Sequence, residues 1–482
     1  MPDSPSAPRL GAPAVMFMVV AAAAPLSIMA GTAPFALAIG GLAAPATFLV
    51  AGAVLTVFAY AFTRMTRATR GTGAFYTYIT LGLGRRCGAA AGILAVVSYN
   101  AVQFGSYGLL GAQFSTACEE FTGVRVPWWA FALAAVVAVW LLGRRGVELS
   151  ARVLGFLLVV ETLLLAVLVV AVLARGGHEG LSFTSFTPGA WHGSGVFAAL
   201  GIAFMCFMGF ESTALYRAEA KRPDWTIPRA TYAAVAFLAV FYALVLWVLV
   251  QAAGESRAVA VAGTDPTAML TSLMHEYLGE PALDITLVFL LTSIFASQVA
   301  FHNAINRYAR ALSSDRLLPR ALARTHPTYG SPSLAGAVQS VLAALVIIGF
   351  ALAQADPYLQ MTIWVSTPGT VGILALQCLA SAAIVAFFRR SVPEWRTAAA
   401  AAAATVLLVA LLALVIDNVA LMTDAGRATN NVLLAVPIVA FLIGLAAATL
   451  LKRTRPETYL RIGGDETQRV ETELATGMSV RQ

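Results

Sequence analysis

The sequence predicts an all-helical membrane protein of about twelve transmembrane helices. Three observations lead to this fold class: the composition, a series of long apolar segments, and the distribution of positive charges between those segments. Of the 482 residues, 59% are hydrophobic and only 11% are charged, whereas a soluble domain has roughly 25% charged residues. A chain this apolar needs lipid as its main solvent.

A helix that crosses a bilayer needs roughly 20 predominantly apolar residues, and twelve segments of the chain approach or exceed that length. The predicted spans are residues 12–40, 44–63, 88–117, 127–143, 150–174, 194–217, 229–252, 284–310, 333–353, 358–388, 396–416 and 431–451. Residues 12–388 form a predicted core of ten spans, and residues 389–453 add the last two. The N-terminal segment 1–11 and the tail 454–482 are predicted to be cytoplasmic, and the polar tail is expected to be mobile.

Positive charges fall almost entirely between alternate spans. If the N-terminus is placed in the cytoplasm, 27 of the 31 Lys and Arg residues lie on the cytoplasmic side, as the positive-inside rule requires. A missed or false span would reverse every later loop and destroy this asymmetry. The pattern therefore predicts an even number of spans in the cell inner membrane, with both termini in the cytoplasm.

Two spans contain residues that interrupt helices. Span 1 has Pro25, Gly31 and Pro34, and span 6 has Gly209 followed by Glu211. Proline removes a helix donor, and in lipid free backbone groups are tolerated only where they line a cavity. Because the two spans are five crossings apart, the second half starts from the opposite side of the membrane, as an inverted repeat requires. These breaks predict a transport site near the bilayer midplane, unless the residues only kink their helices.

The sequence around the second interruption resembles the sixth-helix signature of the amino acid–polyamine–organocation (APC) permeases. That signature is matched by Phe207–Thr213, Glu219–Pro223 and Ile227–Ala230, with supporting similarity at Gly71–Tyr76, Phe301–Asn303 and Ser314–Pro319. The resemblance covers about residues 12–388. It implies a LeuT-type fold, with a 5+5 inverted repeat and broken helices 1 and 6, and alternating access.

Two charged side chains lie deep in predicted spans, Glu161 and Glu211. A charge at the bilayer centre costs roughly 2.5–3.5 kcal/mol on insertion scales, so a functional role is the first hypothesis for each. Glu211 follows the second interruption, where it would couple protonation or substrate binding to the gate between spans 1 and 6. In the alternative interpretation it accepts hydrogen bonds from the unwound backbone and only holds the break open.

Glu161 is a candidate for ion coupling. At its position the resemblance implies Lys in many proton-coupled permeases, so the charge here is reversed, and Thr292 and Ser293 resemble a hydroxyl pair that ligates sodium in other members. Hard cations prefer oxygen ligands, so a sodium site formed by these three side chains is chemically sensible. We expect Glu161 to take up a proton, with sodium binding and a purely hydrogen-bonded Glu as the alternatives.

The substrate-binding candidates surround the two breaks. Ala30, Gly31 and Thr32 resemble the triplet whose backbone N–H groups hold a substrate carboxylate, although small residues also favour close helix packing. In span 3, Tyr99 and Gln103 share one helix face with Tyr107 and either bind substrate or bond between helices. The remaining candidates near the cavity are Met29, Met205, Cys206, Phe207 and Glu211, with weaker ones at Asn100, Trp364, Ser366 and Thr367. For His302 and Asn303 an interhelical bond is the preferred interpretation.

Several other functional classes are disfavoured. No HExxH or GxSxG motif and no nucleotide-binding loop occurs, and four of the five His residues fall in predicted loops. We therefore expect no enzyme activity, cofactor or nucleic acid, and the expected partners are a small solute and the lipid bilayer around a monomer or weak homodimer. The sequence and the resemblance together predict a proton-coupled amino acid permease, with a polyamine or amine transporter, an exchanger and a sodium-coupled symporter as alternatives.

Overall fold

The structure is a computed structural model that describes residues 10–69, 74–145 and 147–464, together with 469 and 472. Residues 1–9, the motif residues 71–73 and most of the tail beyond 464 lie outside the described residues. The described chain is built from helices and contains no β-strand, which confirms the all-helical fold class. The helices bury a large apolar core and turn many apolar side chains outward, as expected for a lipid-facing surface.

Ten helices in the described part of the chain are long and apolar enough to cross a membrane. They are Ala12–Ala68, Arg85–Thr122, Arg152–Arg175, Gly195–Arg217, Pro223–Ala253, Glu280–Ser314, Ser333–Leu352, Pro357–Arg390, Trp395–Asp417 and Arg427–Thr454. The first stretch covers predicted spans 1 and 2, and the shorter apolar helix Trp128–Gly143 corresponds to predicted span 4. We keep the predicted span numbers for these helices, whereas the count of twelve crossings and the inverted repeat stay predictions.

Span 1 is interrupted at Ala24. An α-helix over Ala12–Ala23 ends there because Ala24 has a left-handed backbone (φ 44°), and the following Pro25 disfavours the α conformation at the residue before it. The chain then continues through a π-helical turn over Ile28–Thr32 into a second α-helix, Ala33–Gly40. The backbone is thus irregular at both places, directly before Pro25 and at Gly31, which lies in the π turn.

Span 6 changes its helix type at Gly209. The α-helix Gly195–Cys206 ends in a turn over 207–209, and a 3-10 helix, Phe210–Glu219, follows. Gly209 has φ 105°, a conformation that residues with a Cβ atom rarely adopt. This observation confirms the predicted break beside Glu211.

Spans 3 and 10 pack closely through glycine. A Cβ atom added at Gly105 would lie 2.2 Å from the Ser366 Oγ and 2.8 Å from the Thr362 carbonyl oxygen. The two helix backbones can therefore approach each other only because the side chain is absent, as is common for helix pairs in membranes.

The two loops that follow spans 5 and 7 are joined by a carboxylate. Glu179, which follows span 5, accepts hydrogen bonds from the backbone N–H and the hydroxyl of Ser256, which follows span 7. These hydrogen bonds lower the pKa of the exposed Glu179 carboxyl. The loop after span 7 continues into two short helices, Ala258–Thr264 and Met269–Leu278, before span 8 begins.

Both ends of the described chain dock on one end of the bundle, here called the arginine-rich face because it carries Arg144, Arg307 and Arg310. The Leu10 N–H donates to the Glu219 carbonyl oxygen at 2.6 Å, at the end of the interrupted span 6. On the tail, Ile462 is fully buried and the Gly463 N–H donates to the Tyr76 hydroxyl at 2.6 Å. The expectation of a mobile tail was therefore wrong for residues 456–464, because an apolar side chain and a backbone donor find partners that are distant in sequence.

Gly105→Ala is expected to destabilise the protein by about 1–3 kcal/mol, because the added methyl group overpacks the contact between spans 3 and 10. Gly349→Ala is the matched control, since no atom lies within 4 Å of an added Cβ at that helical position. The free energy of unfolding of both variants can be measured by steric trapping in bicelles. Equal stability of the two variants would contradict the close packing of spans 3 and 10.

Candidate functional site

The buried carboxyl group of Glu211 joins the interruption of span 6 to span 3. Glu211 is 1% exposed, and its Oε1 accepts a hydrogen bond from the Tyr99 hydroxyl at 2.6 Å. Its Oε2 accepts one from the Gly209 N–H at 3.2 Å, and the Ser212 hydroxyl donates to the Gly209 carbonyl at 2.6 Å. The carboxyl group therefore satisfies backbone that the break leaves free.

A series of tyrosine contacts leads from this carboxyl group toward the arginine-rich face. The rings of Tyr99 and Tyr308 lie 6.2 Å apart, and the Tyr308 hydroxyl accepts a hydrogen bond from the Tyr76 N–H at 3.0 Å. The Tyr76 hydroxyl donates to the Asp315 Oδ2 at 2.8 Å. The sequence analysis missed this series, although Tyr76 and Asp315 each lie in one of its supporting motifs.

Glu161 connects span 5 to spans 1 and 8. It is 2% exposed, and its Oε2 accepts a hydrogen bond from the Ser293 hydroxyl at 2.7 Å. The Leu26 N–H, two residues beyond the interruption of span 1, donates to the same carboxyl group. Each buried carboxyl group thus contacts one of the two interrupted helices.

Only one of the two hydroxyl side chains predicted near Glu161 reaches it. The Thr292 hydroxyl donates instead to the Phe289 carbonyl of its own helix at 2.9 Å. A nearby backbone oxygen of span 1, the Ala23 carbonyl, accepts a hydrogen bond from the Tyr242 hydroxyl at 3.1 Å. The structure therefore brings Ser293 and Glu161 together without Thr292.

The π turn of span 1 lies next to a cavity of about 490 Å³, here called the external cavity because the positive-inside pattern predicts that it faces the outside. A Cβ atom added at Gly31 would lie 3.8 Å from the Thr267 Cγ2 and 4.0 Å from the Tyr358 hydroxyl, and Thr267 and Tyr358 both line the cavity. Tyr358 lies in a second π-helical segment, Pro357–Trp364, and its buried hydroxyl oxygen has no hydrogen-bond partner among the described residues. Sequence reasoning missed Tyr358, because only the fold brings it next to Gly31.

The other residues of the two breaks are mostly buried. In span 1, Met29 and Ala30 are at most 1% exposed and Thr32 is half-buried. In span 6, the Cys206 thiol donates to the Ile202 carbonyl at 3.2 Å, and the Phe207 ring lies 6.2 Å from Tyr242. Met205 is half-buried at the same segment. The structure thus places these predicted residues at the breaks, while Phe207 packs toward span 7.

Gln103 takes part in hydrogen bonding between helices. Its Nε2 donates to the Gln298 carbonyl at 3.0 Å, and its Oε1 accepts a hydrogen bond from Gln339. Among the weaker candidates, the Trp364 indole donates to the Thr423 carbonyl at 3.0 Å, away from the breaks. His302 makes no hydrogen bond within the described residues, so the interhelical bond predicted for it was wrong, and it lines a cavity at the arginine-rich face.

Within the described residues, neither buried carboxyl group has a cationic partner. In the ranges that the structure describes, no Lys or Arg forms an ion pair with Glu161 or Glu211. In the same ranges, no group of three or more His, Cys, Asp or Glu side chains is placed to hold a metal ion. The chemistry available at the two interruptions is therefore that of two carboxyl groups, hydroxyl donors and free backbone.

Comparison with known proteins finds one permease family and several transporters that are similar to this chain. Residues 10–444 match the model of a family described as amino acid permease. An uncharacterized transporter of Mycobacterium tuberculosis is 28% identical over 332 residues, which are 66% of this chain and 71% of that protein. The L-methionine/branched-chain amino acid exporter of Escherichia coli is 29% identical over 223 residues, 45% of this chain and 50% of that protein. Cationic amino acid transporter 4 of Mus musculus is 24% identical over 363 residues, 72% and 54% of the two chains.

Tyr99→Phe is expected to lower the free energy of unfolding by about 1–3 kcal/mol, because it leaves a buried carboxyl oxygen of Glu211 without its donor. Tyr107→Phe is the matched control on the same helix face, since Tyr107 is buried and its hydroxyl has no hydrogen-bond partner in the described ranges. Unfolding by SDS in mixed micelles measures both changes. A loss of equal size in the two variants would show that the Tyr99 hydrogen bond contributes no specific stability.

Proposed function

Since the chain belongs to the amino acid permease family of the APC superfamily, we propose that it is a secondary active transporter of an amino acid, driven by protons and working by alternating access. One observation supports this proposal above the others: each interrupted helix is held by a buried carboxyl group that also bonds to a neighbouring span. Such a group can exchange its partner for a solute or a proton, which a passive structural anchor has no need to do.

Glu211 is the proposed link between solute binding and the gate. Its carboxyl group holds segment 207–219 to span 3 through Tyr99, so any movement of that segment away from span 3 must break or replace this hydrogen bond. An ammonium group is a stronger partner for a carboxylate than a neutral hydroxyl. Arrival of the solute ammonium group would therefore release Tyr99 and change the position of the segment.

The solute carboxylate is proposed to bind at the floor of the external cavity. Backbone N–H groups of the Ala30–Gly31–Thr32 turn and the unpaired hydroxyl of Tyr358 would donate to it. A buried hydroxyl without a partner is costly, so a ligand oxygen at this position would relieve that cost. The transported side chain stays open, since one relative is named for methionine and branched-chain amino acids and another for cationic amino acids.

Proton coupling is proposed at Glu161. Protonation would turn an acceptor oxygen of this carboxyl group into a donor, which would alter its hydrogen bonds with Ser293 and Leu26 and so change the free energy of the span 1 interruption. Of the three side chains expected around a sodium ion, Glu161 and Ser293 are hydrogen-bonded to each other, whereas the Thr292 hydroxyl donates to a carbonyl of its own helix. This arrangement favours a proton over a sodium ion as the coupling species.

The proposal is tested by a thermal-shift screen of the twenty standard L-amino acids, together with spermidine and tyramine, on the purified protein, followed by uptake of the hits into proteoliposomes. A ligand that binds only the folded protein raises its stability by mass action, so at least one amino acid is expected to raise the unfolding temperature and to be taken up. Stabilisation by the amines alone would contradict an amino acid substrate.

Gly31→Ala is expected to weaken amino acid binding by about tenfold or more, equivalent to about 1.4 kcal/mol, because the methyl group takes space at the proposed carboxylate site. The stability without ligand should be unchanged, since the added Cβ would meet its nearest atoms at 3.8 and 4.0 Å, an ordinary contact. The same thermal-shift titration measures both quantities, with Gly349→Ala as the control. Wild-type affinity in Gly31→Ala would exclude the span 1 turn from the binding site.

Glu161→Gln is expected to abolish uptake driven by an imposed proton gradient while the variant still binds and exchanges the amino acid, because Gln keeps the hydrogen-bonding shape but cannot be protonated. Uptake into proteoliposomes under separate proton and sodium gradients, with equilibrium exchange as the control, distinguishes these steps. Proton-driven uptake at the wild-type rate would rule out Glu161 as the proton carrier. Sodium-driven uptake that is lost in the variant would assign it to sodium instead.

A further inference from the structure

A second cavity, of about 450 Å³, opens at the arginine-rich face. It lies between the end of span 4, the second half of span 8 and the segment that leads into span 9. Its charged and amide-bearing lining includes Arg144, Arg145, Arg307, Arg310, Glu219 and Asn306. Glu219 ends the 3-10 helix that follows the interruption of span 6, so the cavity lies where that segment reaches the face.

The cavity has more positive charge than its own acid can neutralise. Arg307 forms an ion pair with Glu219, whereas Arg144, Arg145 and Arg310 have no acidic partner within the described residues. The Arg144 guanidinium lies 4.9 Å from the Trp140 ring centre, and stacking on an aromatic ring orients a guanidinium while leaving its N–H donors free. The cavity therefore offers a guanidinium group prepared to bind an anion.

A buried acceptor stands on the same cavity wall. Asn306 is 5% exposed, and its Oδ1 has no hydrogen-bond partner in the part of the chain that the structure describes. Its Nδ2 faces span 9, where it would lie 3.0 Å from a Cβ atom added at Gly336. Since buried polar groups are almost always hydrogen-bonded in proteins, this oxygen is an acceptor that a donor bound at this wall would satisfy.

From these features we propose that this cavity is a second amino-acid-binding site on the cytoplasmic side of the permease. The carboxylate of a zwitterionic amino acid would pair with Arg144 or Arg310, because guanidinium groups match the geometry of a carboxylate, and its ammonium group would donate to the Asn306 Oδ1. This proposal rests on the proposed function. It adds a second site that binds the solute before or after it passes the interrupted helices. The competing explanation is that these arginines only orient the protein in the membrane, as the positive-inside rule describes.

Counterflow in oriented vesicles tests the site. Right-side-out and everted membrane vesicles from cells that express the full chain are loaded with the twenty unlabelled L-amino acids, and the entry of the same twenty in isotope-labelled form is followed by mass spectrometry. Vesicles from cells without the protein give the background. Counterflow needs no ion gradient, so the half-saturating concentration at each face can be compared directly.

Arg144→Gln and Asn306→Leu are each expected to raise the half-saturating concentration at the cytoplasmic face about tenfold relative to that at the external face, equivalent to about 1.4 kcal/mol. Asn306→Asp retains the acceptor oxygen, so its half-saturating concentration at the cytoplasmic face should stay near that of the wild type. If the Asn306 amide were merely structural, the Asp variant would not differ from the Leu variant in this way. Arg324→Gln, an exposed arginine outside the cavity lining, is the control and should leave the ratio unchanged.

The outcomes separate this inference from the proposed function. Wild-type vesicles that take up none of the twenty amino acids would overturn the proposed function itself. Transport by the wild type with an unchanged ratio in Arg144→Gln and Asn306→Leu would overturn the cytoplasmic site alone. An equal rise in Arg324→Gln would show that general positive charge, and not the cavity, sets the affinity, and would also overturn the site.

Discussion

The structure depends on how hydrogen-bond donors are supplied to two carboxyl groups placed deep among apolar helices. An unsolvated carboxylate is among the most costly groups to bury, and lipid offers it no water. Glu211 obtains its donors from Gly209 at the break of span 6 and from Tyr99, and Glu161 obtains its donors from Leu26 beyond the break of span 1 and from Ser293. The breaks and the acids therefore require each other, because an intact helix would have no free N–H to give.

Under the proposed alternating access, this mutual requirement would make the interrupted helices the ones that move. A regular transmembrane helix satisfies its backbone internally and gains little from a change of position. Segment 207–219 instead depends on hydrogen bonds that cross to other spans, and such hydrogen bonds can be exchanged for bonds to a solute. Spans 3 and 10 are in close contact through Gly105, and in the proposed cycle they would form the packed pair against which the broken helices move.

The sequence predicted the parts that depend on local chemistry. Pro25 and Gly209 indicated the two breaks, and the lone acids Glu161 and Glu211 indicated where buried charge had to be accommodated. Contacts that depend on how one helix is rotated against another were not predictable. Tyr358 beside Gly31 and Tyr99 as the partner of Glu211 follow from the assembled bundle, while the spacing of Tyr99 and Gln103 defined only a shared face. Docking of Ile462 and Gly463 was missed for the same reason, because their partners are distant in sequence.

Two cavities approach the interrupted helices from opposite sides, and their charges differ. The external cavity is lined by Glu120 and Asp265, the inner one by arginines. A zwitterion has one group suited to each lining, so the same solute can be attracted at both faces without a net charge of its own. In the proposed alternating-access cycle, the external cavity would attract the ammonium group of the solute first. The cavity at the arginine-rich face would bind its carboxylate in the last step before release. At the proposed cytoplasmic site, a free amine would meet the arginines without a compensating charge, whereas an amino acid brings a carboxylate to them.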